Sequence, residues 1–336
     1  MPSCWDDIIR RPRVSVVITT YNQAPYIGPA LESVFAQTRQ ADEVILVDDG
    51  STDETPERIA PYRDRLVYVR QANQGVAASR NTAIQRARGE LLAFLDGDDL
   101  WEPEKLAFQV AAALAHPDSG LVAVDGIKFA ETGLAMEALF PAPVTSLFAP
   151  GVECVSVDSY RTLLRANVVS TTSQVMIPAR VLKTVGLSDL TFPLVSDWDL
   201  YLRIAERFPV TFVGRGLARW RFHERSASGP AMLRELRWGE DGIRMLAKHR
   251  RRARPEHRKL VRAALRSKVF TTAQAAYYIA EAGGRELGLR SLGRLLRWSP
   301  ISAAPGAFLL AVYAPVWFKR WLGSVARMAL KVRSSV

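Results

Sequence analysis

Leu91-Leu-Ala-Phe-Leu-Asp-Gly-Asp-Asp-Leu-Trp-Glu-Pro103 decides how this 336-residue chain is read. Five apolar residues run into three carboxylates within four positions. A short unbroken apolar run closed by a turn signal is the pattern of a strand buried on both faces. Asp96, Asp98 and Asp99 then stand at its carboxyl end, and Leu100 to Pro103 is expected to start a helix. Outward from this point the same grammar repeats. Strands are expected at Val14–Thr20, Glu43–Asp48, Leu66–Val69 and Leu121–Val124. Helices are expected from Pro25 to Gln37, over 54–62, from Val76 to Arg88 with Gly89 as C-cap, and from Pro103 to His116. Strands alternating with helices predict an α/β fold with a mostly parallel, Rossmann-like sheet flanked by helices. Such sheets bind ligands outside the carboxyl ends of their strands. Thr20-Tyr21, Asp48-Asp49 and Asp96–Asp99 all fall there.

Beyond this core the pattern loosens. Residues 126–170, with Pro141, Pro143 and Pro150, read as an irregular insertion. A strand (Gln174–Ile177), two helices (Ala179–Val185 and Asp197–Arg207) and two strands (Val210–Val213 and Leu217–Phe222) follow. Residues 231–300 read as helical and Arg-rich, broken at Pro255 and Gly283-Gly284, with a helical hairpin over 258–299. Charge divides the chain at the same place. Residues 231–336 hold 22 Lys and Arg against 6 Asp and Glu, a balance of +16, whereas 1–230 hold 23 against 28, a balance of −5. Two parts are expected: a catalytic domain over 1–230 and a basic helical region over 231–336 suited to an anionic membrane surface. Arginine density alone does not distinguish lipid phosphate from nucleic acid, and nucleic acid is the less favoured partner. Residues 301–318 carry no charge but contain Pro305, Gly306 and Pro315, with arginines or lysines on both sides. That suits a segment lying in a membrane interface better than one crossing it, the alternative being a buried helical hairpin. Cys4 and Cys154 make no disulfide framework, and residues 1–13 lack the apolar stretch of a signal peptide. A reducing, cytoplasmic setting, peripheral at the inner face of the membrane, is expected.

The chemistry follows from the carboxylates. Three packed this closely repel one another and call for a cation or protons. Mg²⁺ or Mn²⁺ suits one or two carboxylates plus diphosphate oxygens, and such an ion would neutralise a departing diphosphate. An exposed acidic turn is the plain alternative. Gly75 precedes a helix of small residues whose first turn can approach a diphosphate, with Arg80 as a fork of donors; equally, Arg80 can pair with Asp96. Asp197 and Asp199 open a helix, where acids also serve its dipole.

Four segments in order carry a resemblance: Val-Ser-Val-Val-Ile-Thr-Thr-Tyr-Asn (14–22), Asp-Glu-Val-Ile-Leu-Val-Asp-Asp-Gly-Ser-Thr-Asp (42–53), Asn-Gln-Gly-Val-Ala-Ala-Ser-Arg-Asn (73–81) and Phe-Leu-Asp-Gly-Asp-Asp (94–99). Together they resemble family 2 glycosyltransferases, over residues 14 to about 225. The resemblance implies a GT-A fold, a nucleotide-sugar donor, a divalent metal and inversion at the anomeric carbon. It implies Asp48 and Asp49 at the nucleobase, Thr20 and Tyr21 lining the base pocket, Gly75 and Arg80 near the donor, and Asp96 on the ribose or uridine side. Asp98 would be the metal ligand, with Asp99 sharing that role or orienting its neighbours. Val195-Ser-Asp-Trp-Asp-Leu200 resembles the family's second signature, with Ser196 where a glutamate is usual, and aligns Asp197 with the catalytic base. Asp199 reads as structural. Trp220-Arg-Phe-His223 resembles a late motif that brings His223 to the metal or diphosphate, with Arg221 or Arg225 as alternative diphosphate partners. The implied reaction moves a sugar, most simply from a UDP-sugar, to a hydroxyl of a glycan or lipid-linked glycan in polysaccharide biosynthesis. A sugar-phosphate nucleotidyltransferase is disfavoured because Thr-Thr-Tyr-Asn-Gln-Ala-Pro (19–25) stands where a Gly-rich basic loop belongs. A non-catalytic scaffold with a polyanion-binding tail would have little use for Asp96–Asp99 and Asp197.

Overall fold

The computed structural model describes residues 11–130, 135–223, 231–282 and 284–312. The chain divides into two compact units after His223. The first is built on one sheet that starts with β1 (Val14–Thr20), α1 (Ile27–Phe35), β2 (Glu43–Asp48), α2 (Thr55–Ile59), β3 (Val67–Arg70), α3 (Val76–Arg86) and β4 (Leu91–Asp96). β3, β2, β1 and β4 lie side by side in parallel. Val16, Ile18, Leu46, Ala93 and Leu95 on these strands pack with Ile27, Leu31 and Val34 of α1 in one buried core. The apolar spacing of α1 at three and four residues places those side chains on one face.

The remaining elements of this unit are β5 (Leu100–Trp101), α4 (Lys105–Ala115), β6 (Leu121–Ala130), β7 (Ala135–Ala138), α5 (Ala142–Thr145), β8 (Cys154–Val157), α6 (Tyr160–Arg165), β9 (Val175–Pro178), α7 (Ala179–Val185), α8 (Ser196–Ala205) and β10 (Val210–Phe222). β9 runs antiparallel between β4 and β6, and β10 lies parallel to β6. The sheet is therefore mixed, parallel across β3, β2, β1 and β4, with helices on its faces. Three expectations need correction. Leu100-Trp101 is not a helix start but a short strand paired antiparallel with Ala218 and Arg219, and the helix begins at Lys105. Val210–Phe222 is one strand, its apparent gap being an irregularity in register between Val213 and Ala218 where Gly214 and Gly216 fall. Residues 126–170 hold ordered elements rather than an irregular insertion, including the far half of β6, which the prolines further on obscure.

The second unit is helical: α9 (Ala231–Arg252), α10 (Arg258–Glu281), α11 (Arg285–Leu295) and α12 (Ala304–Val312). α10 packs against the other three. Pro255 separates α9 from α10, as its missing N–H and fixed φ require. No helix among the described residues is long and apolar enough to cross a membrane. Residues 313–318 of the uncharged segment, Cys4 and Arg225 lie outside the described residues.

Candidate active site

The carboxyl ends of β1, β2 and β4 meet at one edge because the strands are paired in register, Thr20 opposite Asp48 and Thr19 opposite Asp96. The acidic turn is locked onto β1: the Gly97 N–H donates to the Thr19 carbonyl (2.9 Å). A Cβ on Gly97 would fall 2.5 Å from Gln23 Oε1 and 3.0 Å from Thr20, so a larger residue would push Gln23 aside and crowd the end of β1.

The aspartates at this edge differ sharply in their surroundings. Asp48 is wholly buried; it accepts from the Ser51 N–H (2.8 Å) and from the Tyr68 hydroxyl (2.8 Å). Burial, then the hydrogen bond to Asp48, pushes Tyr68 up to about 12. Asp49 accepts from Gln71 Nε2 (2.8 Å) and from the backbone N–H groups of Gln74 (3.1 Å) and Gly75 (2.7 Å). Both carboxylates thus hold the chain between β2 and α3 in place, and the Gly75 N–H, at the α3 N-terminus with φ +87°, is spent on Asp49. Thr20 is buried and donates to Gln23 Oε1 (2.9 Å), whereas Tyr21 is exposed.

In the acidic turn, Asp96 Oδ1 accepts from Arg80 Nη2 (2.7 Å), and Asp96 Oδ2 accepts from Thr172 Oγ1 (2.7 Å). The same Arg80 nitrogen donates to Thr172 Oγ1 (2.8 Å). Of the two options open for Arg80, the structure displays the pairing with Asp96. Asp99 is buried, and its oxygens accept from the Arg221 N–H (2.9 Å), Thr171 Oγ1 (2.9 Å) and Ser173 Oγ (2.6 Å). Burial, reinforced by Asp98 and Asp96, raises its pKa well above the usual carboxylate range. Asp98 is different. Its side chain is 16% exposed and meets His223, Nε2 to Oδ2 at 3.0 Å. His223 sits just past β10 with its ring against Tyr26, centroids 4.7 Å apart. Arg221 Nε donates to the Asp98 carbonyl (2.8 Å), and its guanidinium lies over Tyr26 and Phe129.

Asp197 is the second residue of α8. Its Oδ1 accepts from the Trp198 N–H (2.7 Å), and Asn167 Nδ2 stands 3.5 Å from its Oδ2. Burial raises its pKa, and the nearby Arg80 charge opposes the rise. Arg80, Thr172 and Asp197 line one small cavity, so the acidic turn and Asp197 share neighbours. Asp199, also buried, forms an ion pair with Arg203 (2.8 Å), which in turn donates to the carbonyls of Val185 and Leu187. Ser196 is buried at the first position of α8.

A hard divalent ion fits this edge in a restricted way. No group of three or more Asp, Glu, His or Cys among the described residues is gathered as a metal cage. Asp98 and His223 offer two ligands side by side, which suits an ion that takes its remaining ligands from diphosphate oxygens and water. Asp99 has both oxygens engaged and is placed to support the turn. Sequence reading passed over Thr171, Thr172, Ser173 and Asn167. The only signal was the hydroxyl run Ser170-Thr-Thr-Ser173 just before an apolar strand.

The family model described as Glycosyl transferase family 2 matches residues 15–154, the stretch that contains all three strand ends. Residues 15–154 belong to glycosyl transferase family 2. The chain aligns with an uncharacterized glycosyltransferase of Rickettsia felis, 28% identical over 220 residues, 65% of this chain and 35% of the relative. An uncharacterized glycosyltransferase of Nostoc is 43% identical over 98 residues, 28% of this chain and 30% of the relative. The matches thus span about a third of these relatives' lengths. Among solved structures, the mannosyltransferase PcManGT of Pyrobaculum calidifontis, in complex with GDP-Man and Mn²⁺, superposes with a TM-score of 0.57 at 20% identity, covering 90% of this chain and 88% of that one. S. aureus TarS 1–349 in complex with UDP gives 0.55 at 18%, covering 89% and 90%. These likenesses establish a GT-A-type fold.

Proposed function

We propose that the chain is a metal-dependent, inverting glycosyltransferase that moves a sugar from a UDP-sugar to a hydroxyl of a glycan or lipid-linked glycan. The observation that carries the reading is the shared environment of Asp197 and the acidic turn, bridged by Arg80 and Thr172. Asp197 takes the proton from the acceptor hydroxyl as that oxygen attacks C1 and the bond from C1 to the diphosphate breaks on the opposite face. Burial suits it to this role, because a carboxylate with a raised pKa is the stronger base. Mg²⁺ or Mn²⁺ held by Asp98 and His223 would neutralise charge on the departing diphosphate. Asp99, fixed by Thr171, Ser173 and the Arg221 backbone, sets the direction of Asp98. The nucleobase lies at the ends of β1 and β2, with the exposed Tyr21 ring beside it and Asp48 and Asp49 shaping the loop that receives it. Structural relatives that bind UDP-GlcNAc and GDP-Man support a nucleotide sugar as donor. In this reading residues 1–230 form the catalytic domain, and the basic 231–336 region faces anionic lipid at the inner surface of the cytoplasmic membrane during polysaccharide synthesis.

A calorimetric screen of UDP-glucose, UDP-N-acetylglucosamine, GDP-mannose and dTDP-glucose with Mn²⁺ tests the donor class. One of them binds wild type and Asp197→Asn alike, while only wild type turns it over. If none binds either protein, or if product NMR shows retained anomeric configuration, the reading fails.

A further inference from the structure

Tyr201 is among the largest wholly buried side chains of the described structure, yet its hydroxyl has no hydrogen-bond partner. Buried hydroxyls are nearly always satisfied, so an orphan of this kind marks either strain or an unfilled role. Packing alone would be served as well by phenylalanine. Tyr201 follows Asp197 by four residues on α8, which places the two on one helix face. A long helical side chain leans back toward the helix N-terminus, here toward Asp197. Both residues line the same cavity, with Arg80, Thr172 and Ser188 as its other polar walls. Its volume of about 10 Å³ suits one water molecule and excludes a sugar.

We propose that Tyr201 is a positioning residue for the base, donating from its hydroxyl to one water that bridges to the Asp197 carboxylate. The inference rests on Asp197 being the base. The charged groups around Asp197 are Arg80 from α3 and Asp96 from the end of β4; Tyr201 comes from its own helix, and Asn167 and the Trp198 N–H supply neutral donors. Burial first, then the Asp197 charge, holds the Tyr201 phenol well above its ordinary range, so it keeps its proton throughout the reaction. It therefore acts as a donor and not as a second base. A hydrogen bond given to the charged form of Asp197 favours that form. It also fixes the carboxylate rotamer, leaving the second oxygen to face the acceptor. No bond is made or broken at the bridging water; the acceptor proton stays on Asp197 until product leaves.

Tyr201→Phe removes only the hydroxyl and keeps the ring. Using the nucleotide sugar that binds in the donor screen, the acidic limb of the kcat profile is expected to move up by about one pH unit, with kcat below that limb falling about tenfold. KM for the donor stays within about twofold. An acidic limb and kcat equal to wild type would overturn the proposal and leave Tyr201 as packing. Asp197→Asn separates the two claims: wild-type turnover in that variant sinks the base itself, whatever Tyr201 does. A crystal structure supplies a readout independent of activity. It is expected to show an ordered water within hydrogen-bond distance of both Tyr201 Oη and Asp197 in the wild type, displaced in Tyr201→Phe. A dry cavity in the wild type refutes the bridge.

Discussion

Replacing Arg80 with methionine would strike the point where the acidic turn and Asp197 meet. The Arg80 side chain is 12% exposed and gives one nitrogen to Asp96 at 2.7 Å, with the same nitrogen 2.8 Å from Thr172. Methionine preserves much of the apolar stem and removes the charge. Asp96 would then keep only threonine hydroxyls, and Asp197 would lose the nearest cation. Breaking a buried ion pair from one side costs about 3–5 kcal/mol. The Asp96 side chain retains 25% exposure, which lets water repay part of the loss, so about 3 kcal/mol is expected. For a unit of this size that is a fall in Tm of about 6–12 °C. The deficit must also depend on pH. Burial already lifts Asp197, and Arg80 opposes the lift; without it the folded-state pKa rises further. A carboxyl with a raised folded pKa binds its proton more tightly folded than unfolded. Its ionisation is therefore destabilising, fully above the raised folded pKa, and the penalty disappears as pH falls toward the unfolded value. Thermal unfolding followed by calorimetry at pH 8 and pH 5 should show the wild type and variant converging at the lower pH. A deficit below about 1 kcal/mol at pH 8, or one that widens on acidification, would mean that Arg80 does not compensate these carboxylates. It would instead favour a guanidinium held ready for diphosphate.

Two further outcomes follow from the same edge. Because Asp98 and His223 are the two candidate ligands side by side among the described residues, Mn²⁺ should bind the free protein weakly and UDP should tighten it by about 5–150-fold, with UDP tightened equally by Mn²⁺; calorimetry in both orders checks this, and Mn²⁺ affinity indifferent to UDP, or to Asp98→Ala, refutes it. Tyr68 should ionise only near pH 12 in ultraviolet titration, so the stability it contributes is complete below pH 10 and is lost as pH rises from there toward 12. Tyr68→Phe should remove that slope and cost about 1–3 kcal/mol by taking from Asp48 Oδ2 its one close donor, with Arg70 3.8 Å away, and a variant as stable as wild type at pH 8 would show that Arg70 takes over that oxygen.

The parallel core was legible because its signals are local. Each apolar run is short, those of β1, β2 and β4 end in Thr or Asp, and each is followed by a helical stretch. Pairing in register then carries Thr20, Asp48 and Asp96 to one edge without further information. What sequence could not reveal depends on which way a side chain faces and on contacts far along the chain. Asp48 and Asp49 are adjacent at a strand end, yet one turns to Tyr68 and the other to Gly75, and neither direction is written in the residue type. Thr171, Thr172 and Ser173 matter because β9 is wedged antiparallel between β4 and β6, which brings hydroxyls to Asp96 and Asp99 across more than 70 residues. The short strand Leu100-Trp101 was hidden in the same way: its pairing partner lies beyond residue 210, and only that partner makes it a strand.

Five carboxylates crowd one edge of this sheet, and how each is compensated sorts them by task. Asp48 and Asp49 are satisfied by backbone N–H groups and neutral side chains, with the Arg70 guanidinium also 3.8 Å from Asp48, so their charge is already answered by the segment they hold. Asp96, a quarter exposed, has a guanidinium and threonine hydroxyls, and the buried Asp99 has two hydroxyls and a backbone donor, so both carboxylates already have partners that a cation would have to displace. Asp98 meets, among the described residues, one imidazole, beside two other acids. Charge that a fold leaves uncompensated is where an exchangeable cation gains most, since it replaces repulsion instead of competing with an existing partner. That asymmetry supports Asp98, with Asp99 orienting it, as the residue that would meet the metal. It also accounts for the elaborate support given to Asp99: a turn that must hold one carboxylate outward against repulsion needs the adjacent one fastened inward.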